Sequence, residues 1–463
     1  MDPFEQKIKA LARQEEIILP QGFDERIEKR LAGLPAGKSK KDTAFKVLLI
    51  TALFVALSAV TALASPDVQR MAKGLISYFS SGQKSAYLSQ EEALQKYNST
   101  VGIAVQDQGI TLKIDNIAVD DGYINVFYTV SSNTPIKVIG SENTPMNWRL
   151  KWTAPVLFFK ANNQDLTLPA LIEQEAYLEN TTTLKGMERF AVIESLPDEF
   201  RLDIYTEQIL NVHGNWQVAL NVDKSAPGAD TLVVTPKIQT IVNSGWDQSY
   251  KHNVTIDKVL ISPFGSQIVL SELTNDVGVL IPENFALKDD QGRFMDVVFS
   301  QFSGGRPGEP TMVTNSFEFL NGSTKIKTLT LIPLASNLKF NGAAPAMATA
   351  PLSQVPFKLQ QNAAGTIVVD QIELNEQEFK ITYHADGFLA STHFILLDQN
   401  GKELKDIKLA VDHQVDRKTG QHIDTYTFTN HPSAAQIAQI KKLGTLTYDV
   451  KLRPEEQIVI PLQ

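Results

Sequence analysis

The side chains whose spacing could support chemistry are His413, His422 and His431, three of the seven histidines in the chain. Lys418-Thr419-Gly420 reads as the tip of a hairpin, so His413 and His422 can meet across two strands. A metal ion there would need a third ligand such as Asp412 or Asp424. Histidines exposed along a strand explain the same spacing, and no metal site is assigned. Asp398-x-Asn400-Gly401 resembles the start of a calcium loop, but the later ligands are missing and a turn accounts for it. The sequence contains no G-x-S-x-G, H-E-x-x-H or P-loop pattern. Its many Asp/Glu pairs are placed by no glycosidase-like motif. The expectation is a protein that is not an enzyme, with no catalytic residue and no cofactor.

The chain has no cysteine among its 463 residues, which excludes disulfides, thiolate nucleophiles and cysteine-bound metals. An outer region without disulfides fits a bacterial protein better than a secreted eukaryotic one. The net charge is −9, and residues 1–46 hold 10 Lys/Arg against 8 Asp/Glu, leaving 33 against 44 for the remainder. Such an acidic remainder does not attract nucleic acid. Asn98, Asn180, Asn253 and Asn321 match N-x-S/T and, in a bacterial chain, are read as chance matches.

The elements that position these residues begin with Val47 to Ala64, an uncharged apolar run that Phe45 and Ser65 can extend. About 20 helical residues cross the hydrocarbon core of a bilayer. Residues 45–65 are therefore read as one transmembrane helix. Lys38, Lys40, Lys41 and Lys46 crowd its N-terminal side, which places the N-terminus in the cytoplasm and the C-terminus outside. A buried core helix, or a signal peptide cleaved after Ala62-Leu63-Ala64, are the competing readings.

Residues 1–44 carry two short apolar stripes, Phe4, Ile8, Leu11 and Phe23, Ile27, Leu31, each at helical spacing. Asp24 and Glu25 begin the second helix, Lys29 and Arg30 end it, and Gly33 and Pro35 close it. Two such helices cannot bury a core alone. The stripes predict docking to a cytoplasmic protein, with the inner leaflet or a self-packed hairpin as alternatives.

Beyond a juxtamembrane helix and linker, residues 66–97, the period becomes two. Ile124, Val126, Tyr128 and Val130 read as a half-buried strand. Leu112-x-Ile114-Asp115-x-Ile117-x-Val119, Val254-x-Ile256-Asp257-x-Val259-x-Ile261 and Ile367-x-Val369-Asp370-x-Ile372-x-Leu374 repeat one opening, each followed by a turn and a second strand. Ser225–Gly228 and the Ala/Pro-rich 343–356 read as linkers. The expected fold is mostly β, with three tandem β-sandwich-like extracellular modules at 98–224, 236–342 and 358–463.

The segment LPQGFDERIEKRLAGLP (19–35), the lysine run, the apolar span, SPDVQRMAKGL (65–75) and INVFYTV (124–130) together resemble the bacterial single-pass family known as domain of unknown function 4179. VTIDKVLISPFGSQIVLSEL (254–273) resembles domain of unknown function 5643, which often follows it. Together the resemblance covers about residues 20–340, and the third module has no such counterpart. It implies a membrane-bound signalling regulator of the anti-sigma-factor type whose partner is a cytoplasmic sigma factor. It implies no catalytic residues. Zinc-type anti-sigma factors place His and Cys ligands in the cytoplasmic segment, and residues 1–46 have neither. A captured sigma factor would therefore rest on Phe4, Ile8, Leu11, Phe23, Ile27 and Leu31. The rival expectation is an envelope binding or structural protein whose tail only sets topology. The envelope ligand is unknown on either reading.

Overall fold

The computed structural model describes residues 91–463 apart from 141–143, 145, 167–169, 245–249, 275–279, 304–310, 321, 337–345, 391 and 417–418. The expected span at 45–65 and both cytoplasmic stripes lie outside the described residues. Among the described residues no helix is long and apolar enough to cross a membrane. All of them fall within one unit, Arg70–Gln463.

The protein is mostly β. Its first sandwich opposes two antiparallel sheets. One runs, in spatial order, Ser99–Asp107, Ile110–Val119, Tyr123–Ser132, Thr183–Ala191, Ala170–Asn180. The other runs Gln164–Asp165, Phe158–Ala161, Glu199–Ile209, Val212–Asp223. Leu112, Ile114, Val126, Tyr128 and Phe190 from the first sheet meet Phe159, Leu202, Ile204 and Trp216 from the second. The Trp216 indole N–H donates to the Ile110 carbonyl at 2.9 Å, so its polar atom is satisfied inside the core.

The five-stranded order recurs twice. In the second sandwich it is Ile238–Ser244, Tyr250–Ser262, Gly265–Thr274, Thr311–Phe319, Val297–Ser303, with Leu232–Val234 also paired to Tyr250–Ser262. In the third it is Phe357–Asn362, Gly365–Leu374, Glu378–Gly387, Gln421–Phe428, Leu409–Asp416. The repeated Asp explains the shared opening. Register shifts fall between Ile114 and Asn116, between Ile256 and Lys258, and between Val369 and Gln371. Asp115, Asp257 and Asp370 are thus the extra residue of a β-bulge. A bulge moves the inward face by one residue. Leu112 and Ile114 point into the core before it and Ile117 and Val119 after it; Val254 and Ile256 are followed likewise by Val259 and Ile261.

The second sheets differ in who completes them. Beside Glu199–Ile209 lies its own hairpin partner, Val212–Asp223. Beside Thr328–Ser336, the matching strand of the second sandwich, lie Val450–Leu452 and Ile458–Pro461 from the end of the chain. Met347–Pro351, which follows Thr328–Ser336 in sequence, pairs instead with Lys442–Leu446 of the third sandwich. The second and third sandwiches thus exchange strands. The boundaries 236–342 and 358–463 are corrected accordingly, and residues 347–351 of the expected 343–356 linker form a strand. In that strand, MATAP, only Ala350 is buried, and its small side chain carries little apolar signal. The expected linker at 225–228 is a short helix, Ser225–Ala229.

Tyr123–Ser132 is buried on both faces rather than one. Its outer residues Tyr123 and Phe127 pack with Leu94, Met187, Leu260 and Phe264, a cluster that joins the first sandwich to the second. Leu94 comes from the short helix Glu91–Tyr97, within the expected 66–97 linker.

Candidate functional site at the junction of the sandwiches

The fifth strand of each five-stranded sheet comes to one place. Ala170–Asn180, Val297–Ser303 and Leu409–Asp416 line a cavity of about 320 Å³, with Glu173, Glu175, Val298, Phe299, His413 and Val415 on its wall. Lys151, from the helix Met146–Thr153, reaches into it. Its Nζ lies 3.6 Å from Glu175 and 3.3 Å from Asp412, tying the first sandwich to the third. One ammonium thus serves closely spaced carboxylates. Burial pushes the Glu175 carboxyl up to about 7; Lys151 opposes the shift, and Asp412 and Glu173 add to it. Burial works against the Lys151 cation, but Glu175 and Asp412 outweigh it and hold the ammonium above its ordinary value.

A second cavity, about 440 Å³, adjoins His413. The strands Leu409–Asp416 and Gln421–Phe428 form the expected hairpin, with His413 opposite Asp424 and Val415 opposite His422. His413 Nδ1 is 2.5 Å from Asp424 Oδ1. His413 Nε2 is 3.5 Å from His422 Nδ1, and His422 Nε2 is 3.4 Å from Asp296 of the second sandwich. The Tyr383 ring stacks on His422 at 5.1 Å. Asp424, His413, His422 and Asp296 thus form a run of polar contacts across the boundary between two sandwiches. Among the described residues no group of three or more His, Asp or Glu side chains is arranged to hold a metal ion. His431, with a backbone φ of 46°, lies beyond the end of the strand Gln421–Phe428. Asp398 uses its carboxylate on the backbone N–H groups of Asn400 and Lys402, both at 2.8 Å, the bonding of a turn.

Between the first and second sandwiches, Arg189 is fully buried. It donates to Glu318 at 2.5 and 3.2 Å and to the Phe264 carbonyl at 2.7 Å, beneath the Tyr123 ring. Sequence reading missed Arg189, Glu318 and the Lys151 group. The available signal was a charged residue set within an apolar strand, as in Met187–Ala191. The partner-binding candidates Phe4, Ile8, Leu11, Phe23, Ile27 and Leu31 lie outside the described residues.

Residues 39–132 match the family described as Domain of unknown function (DUF4179). The match runs from the lysine-rich flank through the apolar run to the end of the first Asp-centred hairpin. No curated protein matches the chain. Among solved structures, similarity is found to the conserved domain protein from Bacillus anthracis, 14% identical, over 57% of this chain and 85% of that one, with a TM-score of 0.35. It is also found to the N-terminal eight Ig domains of Down Syndrome Cell Adhesion Molecule isoform 1.30.30, 8% identical, over 78% and 43%, with a TM-score of 0.15.

Proposed function

We propose that the protein is a membrane-anchored signalling regulator. Its N-terminal stripes sequester a cytoplasmic sigma factor, and its three sandwiches sense or bind at the cell envelope. The observation that carries this reading is the extent of the family match. A single family unit, 39–132, contains the lysine flank, the apolar run and the first β-hairpin. Basic flank, uncharged run and folded outer portion are the ordered parts of a single-pass protein with its N-terminus inside. The junction of the sandwiches supports the sensing half. Burial holds the Glu175 carboxyl up beside Lys151, which also meets Asp412 of the third sandwich, so a change in the charge of Glu175 acts on how the first and third sandwiches hold together.

The test is capture of a sigma factor from cytoplasm by the full-length chain. Replacing Phe23 and Ile27 by Ala removes two apolar contacts and is expected to weaken capture about tenfold or more. E28A, on the polar side of the same stripe, is expected to leave it unchanged. Capture that both variants lose equally, or a tail that binds only lipid vesicles, would replace this reading with an anchored envelope protein.

A further inference from the structure

The cavity of about 440 Å³ beside His413 lies between the second and third sandwiches, and its wall combines two kinds of side chain. Phe285, Leu287 and Phe299 of the second sandwich and Phe388, Leu389 and Val411 of the third make it apolar. Asp296, His413, His422 and Asp424 converge on the same space. An apolar cavity of roughly 300–1,000 Å³ with a few convergent polar groups is the make-up of a small-molecule site. Val411 and the His413 side chain are 36 and 45% exposed, so solvent reaches it.

Charge and proton count identify the occupant. Two carboxylates line the cavity, and among the described residues no Lys or Arg does. Lys288 and Arg293 flank this wall without lining it. Lys288 lies over the Phe294 ring at 4.2 Å, and Arg293 is held by Asp289 at 2.7 Å. Burial pushes the Tyr383 and Tyr426 hydroxyls on the wall above their ordinary value, and Asp424 adds to both shifts. Both rings therefore stay neutral, and aromatic rings attract cations through their faces. Asp424, His413, His422 and Asp296 make three successive contacts, at 2.5, 3.5 and 3.4 Å. A neutral imidazole carries one N–H. Two rings thus bring two hydrogens to three contacts, and one contact is left as lone pair against lone pair. With His413 donating to Asp424 and His422 donating to His413, that contact is His422 Nε2 against Asp296. The Asp296 side chain, 22% exposed, is open to a further donor.

We propose that this cavity binds an organic ammonium ion, its apolar body against Phe285, Leu287, Phe299 and Phe388 and its N–H group donating to Asp296 beside His422. An ammonium group brings to one point the positive charge that complements the carboxylates and the hydrogen that the run of contacts lacks. The proposal goes beyond the regulator reading and needs neither the span nor the captured sigma factor.

The experiment titrates the full-length chain in detergent with 2-phenylethylammonium and follows the heat, with detergent alone as the blank. Three probes of similar shape are compared on the wild type: 2-phenylethanol, 3-phenylpropionate and the quaternary trimethyl form of the amine. The primary ammonium is expected to bind about tenfold or more tightly than the alcohol, which has a donor but no charge. The quaternary form, which has the charge but no N–H, is expected to bind more weakly too, and the carboxylate not at all. D296N removes the charge and hands the run its missing donor, so it is expected to weaken ammonium binding about tenfold or more. D386N, at an exposed carboxylate paired with Lys358 off this wall, is expected to leave binding unchanged. Comparison of the four probes on the wild type needs no variant to fold. No binding of the primary ammonium, or an alcohol or quaternary form that binds as tightly, overturns the proposal. Preference for the carboxylate overturns it as well, because a protonated imidazole would then supply the third hydrogen. Equal weakening by D296N and D386N would reduce the effect to general attraction by an acidic protein and overturns the site.

Discussion

Thr129 Oγ1 donates a hydrogen bond to Asp115 Oδ2 at 2.6 Å across the first β-bulge, and the same fourteen-residue step joins Ser271 to Asp257 and His384 to Asp370. The extra residue of each bulge is thereby pinned by the strand beside it. Burial differs among the three. The carboxylate-bearing side chains of Asp115, Asp257 and Asp370 are 1, 21 and 29% exposed.

That gradient orders the effects of removal. D115A removes a fully buried carboxylate and abandons Lys113, 2.7 Å away, and the half-buried Thr129 hydroxyl. It is expected to cost about 1–3 kcal/mol, as loss of a buried charged hydrogen bond does. D257A and D370A remove more solvated contacts and are expected to cost about 1 kcal/mol or less. Scanning calorimetry of the three variants checks the order; a D370A protein less stable than D115A would contradict it.

The repeat was legible in the sequence because its apolar spacing jumps from two to three across each Asp, at Ile114 to Ile117 and Ile256 to Val259. The one-residue slip is the mark of the bulge, and it places each Asp at the same point of its sheet. The His413–His422 approach was legible for a similar reason: a hairpin tip brings residues nine apart into reach. Contacts between sandwiches left no such trace. Lys151 meets Asp412 across 261 residues and Arg189 meets Glu318 across 129, so no local periodicity couples them. The strand exchange was hidden too, because Val450–Leu452 and Ile458–Pro461 have the alternation of any strand and nothing in it names the sheet they join.

The Arg189–Glu318 pair is fully withdrawn from water, at 0 and 2% exposure. Removing one partner of such a pair strands a charge and costs about 3–5 kcal/mol, whereas replacing both by apolar residues is close to neutral. E318A is therefore expected to loosen the contact between the first and second sandwiches. Glu173, 3.9 Å from Arg189, takes up only part of the charge. R189M/E318M is expected to recover most of the loss. Urea unfolding of the single and double variants, read as a double-mutant cycle, measures the coupling.

Glu188 makes stability depend on pH. Burial pushes its carboxyl up to about 8, against the hydrogen bonds from Gln174, the Leu157 backbone and Tyr128. The folded protein thus holds a proton that the unfolded chain releases near pH 4.5. Between these values the folded state binds more protons, so stability is highest at the acid end and falls as pH rises toward about 8. Above that the loss is complete and constant. E188Q keeps the shape without the charge. It is expected to match the wild type near pH 5 and to exceed it at pH 8 and above by on the order of a few kcal/mol. Glu175, raised to about 7, adds a fall of the same sign that E188Q leaves in place. Unfolding free energies at several pH values decide it; a wild-type curve parallel to that of E188Q would refute the assignment.

The strand exchange predicts that damage at the end of the chain is felt far back in it. Ile460 is fully buried and pairs with Leu329 in the second sandwich, as the preceding strand Val450–Leu452 also does with Leu334–Ser336, while Lys442–Leu446 before them belongs to the third. Truncating it opens a cavity beside Leu329 and Leu331 and is expected to cost about 2–5 kcal/mol. The loss falls on the sandwich that Ile460 completes. Backbone amides of Thr328–Ser336 are expected to exchange faster in I460A, because their hydrogen-bonding neighbour is loosened. Those of Gln421–Phe428, nearer in sequence, pair within the third sandwich and are expected to stay protected. Hydrogen exchange read by mass spectrometry separates the outcomes. Faster exchange confined to residues 421–446, with Thr328–Ser336 unchanged, would mean that the end of the chain belongs to the third sandwich after all.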